Sequence, residues 1–203
     1  MEDIFRAAYL GNAWGDAESG SGHGSSLSRT AAFRDQIPPL LRALGARSLI
    51  DAGCGDFNWM RVLALSVDRY VGIDIVPELV AHNRRWYASE ARQFLHLDIT
   101  RDALPRADVV LCRDCLVHFS LADALAALRN FKRSGSGYLL TTTFIAHEPN
   151  VDIASGEWRP LNLERTPFAF PPAIEVIDEQ CLHTGGVYAD KRLAVWRLDD
   201  IVC

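Results

Sequence analysis

The sequence predicts an α/β sandwich built on a mostly parallel sheet. Three observations predict it. Residues 48–56, SLIDAGCGD, form an apolar strand that runs straight into a glycine-punctuated acidic turn. Strand patterns then alternate with helical ones along the chain, giving five βα units. The last two strands, 173–178 and 193–197, have a spacer (182–190) too short for an ordinary crossover helix, so they are antiparallel neighbours.

Residues 1–28 read as a Gly/Ser-rich N-terminal arm or lid, and 29–203 as one domain. A flexible arm suits the Gly and Ser content; Trp14, Glu18 and His23 suit a lid over a site. Ser28 or Thr30 caps a helix over 29–45, with Phe33, Ile37, Leu40, Leu41 and Leu44 near helical spacing. Pro38-Pro39 inside it threatens a kink or a split, and Gly45 ends it. Strand 48–52 leads to a helix over 57–66, and strand 69–74 to a helix over 77–89 that opens on Pro77. Strands follow at 93–98 and 107–112. Leu121, Leu125, Leu128 and Phe131 mark the next helix, which leads to Gly135 and strand 138–143. The connection 145–172 is long and proline-containing, a length that is usually functional in a compact domain.

At 203 residues the chain suits one domain with a sizeable core. Its formal net charge of −5, without a run of like charges, argues against nucleic acid as a partner. No apolar run is long enough to cross a membrane, and the N-terminus lacks the pattern of a secretory signal. The five cysteines are odd in number and scattered, which suits a reducing, cytoplasmic setting. Cys112 and Cys115 have C-x-x-C spacing, but zinc needs a second pair; Cys181 and Cys203 are isolated, so no metal is expected.

The βαβ unit over 48–75 carries the functional signal. Glycines in its first turn let the backbone approach a ligand, and an acid at the tip of its second strand, Asp74, accepts hydrogen bonds from ribose hydroxyls. Asp51 just before the glycines is awkward beside a pyrophosphate but suits a cationic cofactor.

LIDAGCGDFNWM (49–60) resembles the first motif of class I S-adenosylmethionine-dependent methyltransferases. GIDI, with Asp74 and Ile75, resembles their ribose-binding motif. LDIT, with Asp98 and Ile99, resembles their adenine-side motif, and DVVLCRDCLVHFS (108–120) their fourth. The closing hairpin is similar to the family's reversed seventh strand. Further stretches, GEWRPLNLERTPFAFPP and YADKRLAVWRL, resemble a group of small bacterial methyltransferase-like proteins. The resemblance implies a Rossmann-like class I methyltransferase sandwich: a seven-stranded, mostly parallel sheet with an antiparallel last strand. It implies S-adenosylmethionine as cofactor.

On that resemblance Asp51 helps bind the cationic methionyl end, and Gly53 and Gly55 let the chain pass beneath the cofactor. Asp74 takes the ribose hydroxyls, Asp98 and Ile99 flank adenine, and Arg113 falls on the cofactor side. Asp98 is alternatively the cap of a short turn. Trp59 either packs over the methionyl chain or fills the core.

Methyl transfer mainly requires alignment of the acceptor and, for a hydroxyl, removal of its proton. His118 is the candidate base because an imidazole titrates near neutral pH; its alternative is a capping or packing role. Asp114, one helical turn earlier, orients it or binds the acceptor. His147, Arg159 and Asn162 in the long connection, with Tyr188, are the candidates for acceptor binding; Asp190 and Lys191 stand beside Tyr188. The expected function is methyl transfer to a small polar acceptor, a hydroxyl of a glycan or secondary metabolite. Transfer to nitrogen or carboxylate, or a non-catalytic module that binds adenosylmethionine, are the alternatives. Oligomeric state leaves no mark in the sequence.

Overall fold

The computed structural model describes residues 1–182 and 184–202; Cys203 lies outside them. Its centre is a seven-stranded sheet: β1 (Ser48–Ala52), β2 (Arg69–Asp74), β3 (Arg92–His96), β4 (Val109–Cys112), β5 (Tyr138–Phe144), β6 (Glu175–Asp178) and β7 (Lys191–Arg197). The order is β3-β2-β1-β4-β5-β7-β6. Strands β1 to β5 run parallel, and β7 lies antiparallel to both β5 and β6. The expected fold class, including the reversed last strand, is the one observed.

The central strands β1, β4 and β5 are buried along nearly their whole length because both faces of the sheet are covered there. Successive side chains then serve opposite layers. Leu49, Val109, Leu111, Leu140 and Val195 pack into one layer with Phe33, Ile37 and Leu41. Ile50, Val110, Cys112, Leu139 and Trp196 pack into the other with Leu128 and Phe131. Full burial of one such side chain contributes about 1.5–3 kcal/mol.

The helices are α1 (Glu2–Leu10), α2 (Leu27–Arg34), α3 (Ile37–Ala43), α4 (Pro77–Tyr87) and α5 (Leu121–Arg133). The single helix expected over 29–45 is two. Proline inside a helix removes a hydrogen bond and clashes with the preceding turn, so the chain breaks at Asp35–Gln36 and places Pro38 and Pro39 in the first turn of α3. Gly45, at φ +66°, ends α3 as expected. Helix α5 starts where Ser120 Oγ accepts the Asp123 N–H at 3.1 Å.

One local expectation fails outright. The helix over 57–66 is absent apart from a short 3₁₀ turn at Met60–Val62. Phe57, Asn58, Trp59 and Met60 are all buried in succession, which no one-sided helix allows. Phe57 adopts φ +61° to place its ring among Tyr70, Tyr87 and Phe94. Helix α1 has no counterpart in the sequence reading; its Phe5 packs on Phe119 at 5.7 Å between ring centres.

Candidate active site

The carboxyl ends of β1, β2 and β4 open on a cavity of about 350 Å³. Strand order reverses between β1 and β4, the place where open α/β sheets bind ligands.

The turn after β1 is pinned to β2. Gly53 and Cys54 donate their N–H groups to Ile73 O at 2.8 and 3.0 Å. Gly55 N–H donates to Asp74 Oδ2 and Val76 N–H to Asp74 Oδ1, both at 2.9 Å. Gly53 and Gly55 have positive φ and line the cavity. A Cβ on Gly53 would lie 2.9 Å from Cys115 Sγ, and one on Gly55 would collide with Ser21 Oγ. The glycines therefore admit neighbouring protein segments as well as a ligand.

Asp74 is buried and faces the cavity with Ile75, Asp98 and Ile99. Burial raises the Asp74 pKa, and the backbone N–H bonds partly offset it. Asp98 also caps a turn: its Oδ1 accepts from Thr100 N–H at 3.0 Å and Thr100 Oγ1 at 2.6 Å. Asp51 and Trp59 sit behind the cavity wall. Tyr70 Oη donates to Asp51 Oδ2 at 2.6 Å. Trp59 packs edge-on against Phe33, with the Arg113 guanidinium 5.5 Å from its ring centre.

Beside the glycine turn, Arg113, Asp114, Cys115 and His118 follow β4 into the cavity. Arg113 and Asp114 belong to a cluster of four charges, of which Arg113, Glu179 and Lys191 are buried and Asp114 is half-buried. Arg113 Nη2 lies 2.7 Å from Glu179 Oε2, and Lys191 Nζ lies 2.7 Å from Asp114 Oδ2 and 3.1 Å from Glu179 Oε2. Two cations and two anions cancel. Burial opposes ionisation of Asp114, but Arg113 and Lys191 outweigh it and hold the carboxyl well below its usual range. Glu179 carries no sequence signal, because its partner Arg113 is 66 residues away.

His118 stands in the 3₁₀ turn Leu116–His118. Its Nδ1 lies 2.9 Å from Glu157 O. A carbonyl only accepts, so Nδ1 carries the proton and Nε2 keeps the lone pair. Burial lowers the His118 pKa, against the Glu157 bond and Asp114 and with help from Arg159 and Lys191. The ring is therefore neutral at neutral pH. Trp14, Phe144, Trp158 and Tyr188 complete this end; the Trp158 and Tyr188 ring centres are 4.9 Å apart, with the planes at 68°.

The cavity gathers most of the expected residues but not all. His147, Arg159, Asn162 and Asp190 lie outside its lining. Asn162 Nδ2 donates to Ile145 O, and the Arg159 guanidinium donates to carbonyls of 116, 119 and 151. Residues 21–25 and Trp14, from the stretch expected as arm or lid, form one wall. That stretch is held by Gly20 N–H to Asp56 Oδ2 at 2.9 Å, by Asn58 Nδ2 to Glu18 Oε1 at 2.6 Å, and by Arg113 Nη1 to Gly24 O at 2.8 Å. Among the described residues, no three His, Cys, Asp or Glu side chains gather as a metal-holding group.

A glycine turn, a buried acid on the second strand and a cavity at the switch point define a nucleotide-cofactor enzyme of the α/β class. The chain belongs to the methyltransferase domain family, whose profile matches residues 20–179. It is a methyltransferase, and its cofactor is S-adenosylmethionine. Among solved structures it resembles magnesium protoporphyrin IX methyltransferase from Synechocystis PCC 6803 with bound SAM: 19% identity, 75% of this chain and 78% of that one, TM-score 0.54. It also resembles the methyltransferase domain of bacterial CtHen1, at 15% identity, 62% of this chain, 72% of that one and TM-score 0.50. A sugar N-methyltransferase from Streptoalloteichus sp ATCC 53650 matches at 23% identity over 55% of this chain, TM-score 0.46, and only 47% of that protein's length is spanned. The first two likenesses describe the fold. No curated protein matches the sequence.

The residues present fit the cofactor. Asp74 spends one lone pair of each oxygen on a backbone N–H and retains acceptor capacity toward the cavity. The two positive-φ glycines expose backbone at the same wall.

Proposed function

We propose that this methyltransferase acts on a hydroxyl of a small, uncharged, ring-bearing acceptor, such as a glycan or a secondary metabolite, with His118 as general base. S-adenosylmethionine supplies the methyl group on an activated sulfonium. Asp74 would hold the ribose hydroxyls, Ile75, Asp98 and Ile99 the adenine, and the backbone at Gly53 and Gly55 the methionyl end. Asp51 would act through the turn from behind the wall. Residues 14–25 would serve as a lid that excludes water.

The observation that carries the reading is the His118–Glu157 hydrogen bond. It leaves the Nε2 lone pair on a neutral imidazole, the state a base needs to take a hydroxyl proton. The charge-balanced cluster at the same end favours an uncharged acceptor, and the Trp14, Trp158 and Tyr188 rings offer faces for a ring to stack on. No helix among the described residues is long and apolar enough to cross a membrane; with the scattered cysteines this supports a cytoplasmic enzyme.

Calorimetric titration with adenosylmethionine and adenosylhomocysteine, wild type against Asp74→Ala, tests the cofactor site. Micromolar binding lost in the variant supports it; equal binding by both overturns the assignment of Asp74. Screening hydroxylated sugars and phenols with wild type and His118→Asn then tests the base. Full activity of His118→Asn sinks that role and favours an acceptor already deprotonated, or a nitrogen.

A further inference from the structure

We infer that the segment Gly156 to Arg159 is the positioning element of His118, with Arg159 as its positioning residue. The inference rests on the reading of His118 as base and names what holds that base in place.

The turn carrying His118 is a three-residue 3₁₀ helix between β4 and α5. So short a helix leaves most of its carbonyls without partners of its own. Four consecutive carbonyls are instead taken by the long connection. Arg159 Nη1 donates to Leu116 O at 3.0 Å and Arg159 N–H to Val117 O at 3.1 Å. Gly156 N–H donates to His118 O at 2.8 Å and Arg159 Nη2 to Phe119 O at 2.6 Å. Glu157 O, between them, receives His118 Nδ1–H. Two further bonds lock the exit into α5: Ser120 N–H to Ser155 Oγ at 2.9 Å and Leu121 N–H to Asp152 Oδ1 at 2.7 Å.

Arg159 is 6% exposed, and its guanidinium forms no salt bridge among the described residues. An arginine that reads a substrate keeps its fork toward the ligand; this one spends it on carbonyls of 116, 119 and 151. The planar fork spans two carbonyls three residues apart, which a lysine ammonium cannot match in the same fixed geometry. Gly156 is at φ +105°, and a Cβ there would collide with Ile4 of α1. The segment therefore packs beneath α1 while it grips the turn. Trp158, between the gripping residues, lines the cavity. One piece of chain thus sets both the tautomer of the base and one wall of the acceptor space.

The test is ¹⁵N imidazole spectroscopy of the full chain with adenosylhomocysteine, comparing wild type, Arg159→Lys and Arg159→Met. The expected wild-type signature for His118 is a single tautomer, protonated at Nδ1. In Arg159→Met the signal should move toward a mixture of tautomers, and Arg159→Lys should recover part of the wild-type signature. Adenosylhomocysteine affinity should stay within about twofold, because Arg159 does not reach the cavity. A wild-type ring protonated at Nε2, or an unchanged tautomer in a folded Arg159→Met, overturns the inference. Hydrogen exchange in wild type needs no variant: the Gly156 and Arg159 amides should be slow, and exchange at open-loop rates also overturns it. Loss of the base role is read separately, since a fully active His118→Asn would leave the tautomer and exchange results standing.

Discussion

Tyr70 Oη donates a 2.6 Å hydrogen bond to Asp51 Oδ2, tying β2 to β1 beneath the glycine turn. Asp51 is 4% exposed. Burial pushes its pKa up to about 7, against the Tyr70 bond and Arg113 and with help from Asp74. A carboxyl raised above its unfolded value of 3.8 binds its proton more tightly in the folded chain. Stability from that difference is full below pH 3.8 and is lost as pH rises to about 7.

Asp51→Asn removes the titration and keeps an acceptor for Tyr70. Its melting temperature should therefore gain on wild type as pH rises from 4 to 8, by an amount worth about 4 kcal/mol at most. Thermal melts at both pH values check this; a constant offset would mean that Asp51 stays ionised throughout.

Lys191→Met leaves Asp114 and Glu179 facing Arg113 alone. Breaking a buried charge network costs about 3–5 kcal/mol. Asp114 is held below its unfolded value, so its contribution is present above pH 3.8 and is lost as pH falls through the lower folded value. Urea unfolding should show the full deficit at pH 7 and a smaller one at pH 3. An equal deficit at both would assign the loss to packing of the lysine stem.

Asp56→Ala removes the acceptor of Gly20 N–H and Ser21 Oγ–H. Under the lid reading, residues 14–25 should become accessible to protease, and adenosylmethionine affinity should fall roughly tenfold, about 1.4 kcal/mol. Unchanged affinity with faster cleavage would leave the stretch a docked strap with no part in binding.

The pH profile of methyl transfer should fall on the acid side with an apparent pKa below 6.5, since burial lowers that of His118. An inflection above 6.5 would point to another group. Arg159→Met should lower kcat more than it raises the KM for adenosylmethionine, as expected of a residue that acts through the base.

The sheet, the glycine turn and Asp74 were legible because each is written in a few adjacent residues. Short apolar runs mark the buried strands, positive φ demands the glycines, and an acid at a strand end needs no distant partner to be recognised. Pro38-Pro39 marked the break between α2 and α3 for the same reason. By contrast, Phe57 looked helical in its window, and only the rings of Tyr70, Tyr87 and Phe94 explain its φ of +61°.

The sequence by itself therefore determined the fold class and singled out Gly53, Gly55, Asp74 and Asp98, which the structure gathers along one cavity. The tertiary structure alone decided how the end of the cavity beside β4 is built. Arg159 and Asn162 are polar residues between aromatics, and that pattern reads the same whether a side chain faces a ligand or a backbone carbonyl. Glu179 and Lys191 acquire meaning only where β6 and β7 bring them to Arg113 and Asp114, which follow β4. Local patterns encode backbone conformation and burial; the partner of a charge or a donor is set by which distant segments the fold brings within about 3 Å.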